Sequence, residues 1–269
     1  MRNFGKTNFM ICLSKNKTDE YINMFAKGMD FPIYDYNEEY PQQGDLLIRS
    51  IMKKEIMHDC WDNGRNFFYM DSGYLGNHKY HLNLSGHKYW HRIVKNNLQH
   101  NEITERPSDR WDRLGLEVKQ NKRMGKHILL VLPSAKPCKF YDIDLDEWTE
   151  ETIFKIKRFT DRPIKIREKQ ARHVRLNNSI YDDLKDCWAL VTYQSIAAVE
   201  SVISGVPAFT LAPTAADPVC DKDLRKLENP TLQHKDKLRA WAHHLAYGQF
   251  HITEMKDGTA YRILMNESS

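Results

Sequence analysis

Three stretches of this sequence hold residue types spaced for chemistry. In the first, the apolar run Asn66–Asp71 (NFFYMD) ends on Asp71 and Ser72 just before Gly73. Ligands of open α/β sheets collect at the carboxyl ends of the strands, so a carboxylate there is placed to meet one. A turn residue preceding Gly73 is the plainer reading of Asp71. In the second, Leu190–Asp217 (LVTYQSIAAVESVISGVPAFTLAPTAAD) couples an apolar strand, a polar turn, a helix opening on Ser195, Glu200 on that helix and a Gly-Val-Pro break. A helix start that directly follows a strand presents unpaired N–H groups and a positive dipole end, which suits phosphate. Ser195 as a mere helix cap explains the same backbone pattern. The third stretch, Ser72–Asn101, has no acidic residue but holds Lys79, Lys88, Arg92, Lys95 and five histidines (His78, His81, His87, His91, His100), as an anion-facing surface or a solvated loop would.

The elements that must position these residues alternate. Phe9–Leu13 reads as a strand and Thr18–Gly28 as a helix capped by Thr18 and stopped by Gly28. Asp45–Ile51, Met52–Gly64 and Asn66–Asp71 read as a βαβ unit. Residues 101–126 are polar and aperiodic, which places a domain boundary there. Beyond it, the strands Lys126–Leu132, Pro163–Arg167, Cys187–Tyr193 and Pro207–Leu211 are separated by the helices Glu147–Thr160, Ser179–Asp186 and Ser195–Ser204. That alternation is the signature of a parallel sheet covered on both faces. Lys235–Gly248 is an amphipathic helix, followed by an irregular tail.

Composition excludes several classes. With 41% apolar and 28% charged residues, the 269-residue chain is globular, not disordered or fibrous. No apolar window reaches the ~20 residues of a membrane span, and the amino terminus does not read as a signal peptide, so a cytoplasmic protein is expected. Five scattered cysteines without a CxxC pair suggest neither a disulfide framework nor a zinc ribbon. Gly5-Lys6-Thr7 lacks the upstream glycine of a P-loop. Asp142, Asp144 and Asp146 fail as a calcium loop, since Glu147 and Ile153 stand where glycine and the bidentate Glu belong, and they suit the cap of the following helix. His243 and His244 are adjacent and face different sides of a helix, and neither GxSxG nor HExxH occurs.

Lys126–Gly248 resembles the donor-nucleotide half of GT-B glycosyltransferases, especially the capsular-polysaccharide type and related phage enzymes. There, a strand ending in a polar Ser leads to a helix with Glu and then Gly-x-Pro. The resemblance implies that Ser195 faces the donor diphosphate and that Glu200 bonds the ribose. RPIKIREK (Arg162–Lys169) is similar to the basic strand end of those enzymes, making Arg167 and Lys169 cations for the leaving diphosphate, and LVLPSAK places Ser134 after the first strand of that half. FFYMDSGYLGN resembles a segment of phage proteins with the same carboxyl-terminal half, which implies that Asp71 lies at an interdomain cleft as the base for an acceptor hydroxyl. A carboxylate serves there because the hydroxyl gains acidity as its bond to the sugar forms. His58 and Asp59 are lesser candidates.

The fold implied is α/β, with two Rossmann-like halves: an acceptor-side domain over 1–124, reduced because GT-B enzymes are usually longer, and a donor domain over 125–269. The Lys235–Gly248 helix is expected to cross back to brace the first half. The expected donor is a nucleotide-sugar, foremost a UDP-sugar, with no metal required. One acceptor reading is the hydroxymethylated pyrimidine of phage duplex DNA, with Lys79, Lys88, Arg92 and Lys95 on phosphates and Trp90 beside the flipped base. A glycan acceptor is the second reading, and a non-catalytic nucleotide- or nucleic-acid-binding module the third.

Overall fold

The computed structural model describes residues 9–51, 53–77, 89–119, 125–168 and 179–266. The chain forms two compact units, one from Met1–Gly73, Lys88–Leu98 and Gly248–Ser269 and the other from Tyr74–His87 and Gln99–Tyr247. This division departs from the expected one at 124 and 125. The polar 101–126 segment reads as a linker, yet its Trp111 and Leu114 are buried and its Arg110 Nε–H donates to the Ala246 carbonyl at 3.1 Å.

The first unit holds a six-stranded sheet in the order β10-β5-β4-β3-β1-β2. Its strands are β1 (Met10–Ser14), β2 (Ile33–Asp35), β3 (Asp45–Arg49), β4 (Phe67–Ser72), β5 (Trp90–Lys95) and β10 (Gln249–His251). β2, β1, β3 and β4 run parallel, whereas β5 and β10 join antiparallel. Helix α1 (Glu20–Met29) starts where the Asp19 carboxylate, not Thr18, accepts the Tyr21 and Ile22 N–H groups. It turns Ile22, Phe25 and Ala26 into a core with Leu47, Phe68, Met70 and Ile93. Gly28 is not its stop, since the helix ends on Asp30 in the left-handed region. A Cβ at Gly28 would lie 2.3 Å from the Met255 carbonyl oxygen of α9 (Ile252–Lys256), so the glycine permits that close approach. α2 (Lys54–Asp62) connects β3 to β4, and α10 (Thr259–Asn266) follows α9. The tail read as irregular is thus a strand and two helices.

The second unit holds a fully parallel sheet in the order β7-β6-β8-β9, with β6 (His127–Val131), β7 (Ile164–Arg167), β8 (Cys187–Thr192) and β9 (Ala208–Thr210). Near-continuous apolar runs in β6 and β8 supply its core, where Ile128, Leu130, Ala189, Val191 and Phe209 meet Ile156. Its helices are α3 (Asp109–Leu114), α4 (Ala135–Phe140), α5 (Leu145–Lys157), α6 (Ile180–Asp183), α7 (Ala197–Ile203) and α8 (Lys235–Tyr247). Asp144 Oδ1 accepts the Asp146 and Glu147 N–H groups, so the acidic run caps α5. Helix α8 belongs to the second unit, where Trp241 Nε1–H donates to the Ala215 carbonyl at 2.7 Å, and the segment that rejoins the first unit begins at Gly248. Among the described residues no helix is long and apolar enough to cross a membrane.

Candidate functional site

Strand order alone marks a crevice in the second unit. From β6 the chain proceeds to β7 on one side, and from β8 it proceeds to β9 on the other, so the loops leaving β6 and β8 part at their carboxyl ends. Such a switch point is where open α/β sheets bind ligands. The pairing of Val131 with Thr192 puts the two strand ends level, and the Thr192 hydroxyl donates to the Val131 carbonyl at 2.9 Å beneath them. Ser134 lies three residues past one strand end and Ser195 three past the other, each half-buried. Ser195 Oγ accepts the Ala197 N–H at 3.2 Å one residue ahead of Ile196, the cap position of α7, while its O–H is left to donate. Tyr141, at the end of α4, donates through its hydroxyl to Gln194 Oε1 at 3.2 Å and ties the two loop systems together.

Glu200 lies one turn along α7 and lines a cavity of about 300 Å³ with Tyr74, Leu116, Lys119, Tyr181 and Ser204. That volume is at the lower end for small-molecule sites. Burial, then the neighbouring Glu200 carboxylate, push the Tyr181 phenol above its ordinary range, so it stays a hydrogen-bond donor. Neither Tyr181 nor the 115–119 segment was singled out from the sequence. Both come to this wall through tertiary packing, such as the Lys119 N–H bond to the Ile203 carbonyl at 2.9 Å.

Arg167 ends β7 level with Val131, but its guanidinium is engaged with the buried Asp183 carboxylate, which Lys165 shares. Lys165 and Arg167 thus share one carboxylate at this edge, in place of the freestanding Arg167 that the sequence suggests. Lys169 lies outside the described residues.

In the first unit Asp71 sits near the end of β4, as read from the sequence, and its side chain is 35% exposed. Its Oδ2 accepts the Tyr69 hydroxyl at 2.8 Å and lies 3.6 Å from an Arg92 nitrogen, while Oδ1 accepts the Ser72 N–H at 2.7 Å. Gly73 follows because a Cβ there would meet Trp90 Cβ at 2.9 Å, so close strand approach demands the glycine. His58 and Asp59 are on the exposed side of α2, and Asp59 accepts from Asn63 at 2.8 Å.

Among the described residues of the basic stretch, two of the expected anion-facing side chains are buried. Arg92 is 4% exposed, pairs with Asp71 and donates to the Ser72 carbonyl at 2.7 Å, which removes it as a phosphate contact. His91 is fully buried. The Trp90 ring packs edge-on to His251 with centroids 5.2 Å apart. Lys95 is exposed at the end of β5, and Lys79 and Lys88 lie outside the described residues. The signal that was available is the alternation of β5, where His91 and Ile93 share one face and Arg92 and Val94 the other.

Two sheets with ligand-type strand ends define an α/β protein of two Rossmann-like units, as expected from the sequence. No protein-family model matches the sequence, and no curated protein matches it. The fold is that of Kdo transferases. Thermosulfurimonas dismutans KpsC, beta Kdo 2,4 transferase, superposes with a TM-score of 0.55 at 10% identity, covering 91% of this chain and 92% of that one. The beta Kdo 2,7 transferase of the same protein gives a TM-score of 0.51 at 9% identity, covering 93% and 99%.

Proposed function

We propose that this protein is a glycosyltransferase that moves a sugar from a nucleotide-sugar to a hydroxyl, with the donor held by the second unit. The observation that carries this reading is the switch point between β6 and β8, where Ser134 and Ser195 each lie three residues past the level ends of the two strands, on a fold shared with Kdo transferases. Glu200 is assigned to the ribose, and its cavity to the nucleoside. The serine hydroxyls and loop N–H groups receive the leaving phosphate, helped by Lys165 and Arg167, which share Asp183, and by Lys169. Donors aimed at charge that grows in the transition state lower the barrier more than equal donors aimed at the ground state.

Asp71 is assigned to the acceptor. As the acceptor oxygen bonds the anomeric carbon, the bond from that carbon to the phosphate oxygen breaks, the nucleotide departs with the electron pair, and Asp71 takes the hydroxyl proton. A glycan acceptor is favoured over DNA because Arg92 is buried against Asp71 and Trp90 packs on His251.

Titration calorimetry over UDP-hexoses and activated Kdo, with and without EDTA, tests the donor half. Binding is expected without a divalent cation and weakened in Ser195→Ala and Glu200→Ala. Full-strength binding to both variants together would remove the site. Transfer to oligosaccharides or to hydroxymethylated duplex DNA, measured side by side, decides the acceptor.

A further inference from the structure

We infer that Tyr69 and Arg92 are positioning residues for Asp71, aiming its carboxylate at the acceptor; the inference rests on the proposed role of Asp71. Tyr69 and Asp71 are two residues apart on β4 and so share a face of the sheet. Arg92 stands directly opposite Asp71 on the antiparallel β5, on that same face. The three side chains close a triangle. Tyr69 donates to Asp71 Oδ2 at 2.8 Å, the Arg92 guanidinium lies 3.6 Å from the same oxygen, and its Cζ lies 5.5 Å from the centre of the Tyr69 ring.

Exposure separates the three by role. Tyr69 is 2% exposed and Arg92 4%, whereas the Asp71 side chain keeps 35% of its surface. A buried guanidinium must face an anion, because removing a charge from water without a partner costs several kcal/mol. Arg92 therefore fixes where the carboxylate sits, and its second bond, to the Ser72 carbonyl at 2.7 Å, fixes Arg92 itself. Both buried donors engage Oδ2, while Oδ1 takes the short Ser72 N–H bond, so the rotation of the carboxylate about its bond to Cβ is set from both sides. A purely structural staple between β4 and β5 would be expected to bury its acid with its base. Here the acid alone faces solvent. A base must be oriented to within a small angle of the proton it takes, and such support from beneath is how that orientation is held.

The test uses the full-length chain and whichever nucleotide-sugar of the panel above it turns over, with transfer or hydrolysis as readout. Tyr69→Phe removes one oxygen and is expected to lower kcat about tenfold, the loss of one hydrogen bond to a charged group, with donor KM unchanged. Arg92→Lys, which keeps the charge, should retain more turnover than Arg92→Gln. The deciding measurement is the pair Tyr69→Phe and Asp71→Asn. If Tyr69 acts through Asp71, adding Tyr69→Phe to Asp71→Asn lowers kcat no further. Equal losses in both backgrounds, or wild-type kcat in Tyr69→Phe while Asp71→Asn is impaired, overturns the inference and leaves the base in place. Undiminished turnover in Asp71→Asn, or no turnover of any donor by the wild type, removes the underlying reading and the inference with it. Should Arg92→Gln fail to fold, the Tyr69 arm decides alone.

Discussion

The parallel strands of the two units follow one plan. β2-β1-β3-β4 in the first unit and β7-β6-β8-β9 in the second share the same order, so each sheet has its switch point between corresponding strands, β1 and β3 or β6 and β8. What the strand ends carry differs. In the first unit the end of β3 is Arg49, which ion-pairs with Asp19 at the start of α1 and stacks 4.5 Å above the Tyr21 ring, itself 4.0 Å from that of His91. Charge thus bridges the first crevice. The second crevice is crossed by neutral groups, the Tyr141 to Gln194 bond, and flanked by Ser134 and Ser195. A crevice bridged by an ion pair has its charges engaged within the protein, while one lined by hydroxyls keeps donors for a ligand. The same topology can therefore carry two kinds of strand end, and the base proposed for the first unit, Asp71, sits to one side of its crevice on β4.

The sharpest way to break this contrast is Asp71→Asn. Turnover is expected to fall at least ~100-fold, with donor affinity unchanged in calorimetry. Unaltered turnover would send the reactive group elsewhere. Acid should separate the units next. Burial, then nearby Arg106, lower His244 in the second unit to about 4, so the folded state excludes a proton that the unfolded chain accepts below about 6.5. Stability from this residue is complete above that range and is lost as pH falls toward 4, by at most about 3 kcal/mol. His244→Gln should flatten that part of the pH dependence in thermal melts.

Smaller effects probe each crevice. Glu200→Ala should weaken nucleotide-sugar binding about tenfold, as expected for one hydrogen bond to a charged group, and leave the melting of the first unit unchanged. Asp19→Ala removes the cap of α1 and the partner of Arg49, so a loss of about 1–2 kcal/mol in chemical denaturation is expected with donor affinity intact. A change in donor affinity with Asp19→Ala would show that the two crevices are not independent.

The second unit was legible because its buried parallel strands are apolar along their length and its turns carry serine, glycine and proline. Ser134 and Glu200 lie after the strand and on the helix that the pattern implies, while the helix expected to open on Ser195 starts at Ala197. β5 was not legible, since WHRIVK puts histidine and arginine at buried positions, and their partners lie on other elements: Asp71 on β4 for Arg92 and Tyr21 on α1 for His91. The same holds for Gly28, whose reason is the Met255 carbonyl far along the chain. Periodicity reports what a segment buries against apolar neighbours, and says little about a charge that is buried against its opposite.

The first sheet is assembled from segments at both ends of the chain. β5 pairs with β4 on one edge and with β10 on the other, and β10 is followed by α9 packed on Gly28 of α1. During synthesis, then, residues of the second unit through Tyr247 have all left the ribosome before the strand that completes the earlier sheet emerges. The unit that begins first is finished last. Until Gln249 to His251 arrive, β5 presents an unpaired edge, the kind of surface that recruits other nascent strands. Translation pauses between β5 and β10 would lengthen that exposure, and chaperone dependence would concentrate on this one late-closing sheet.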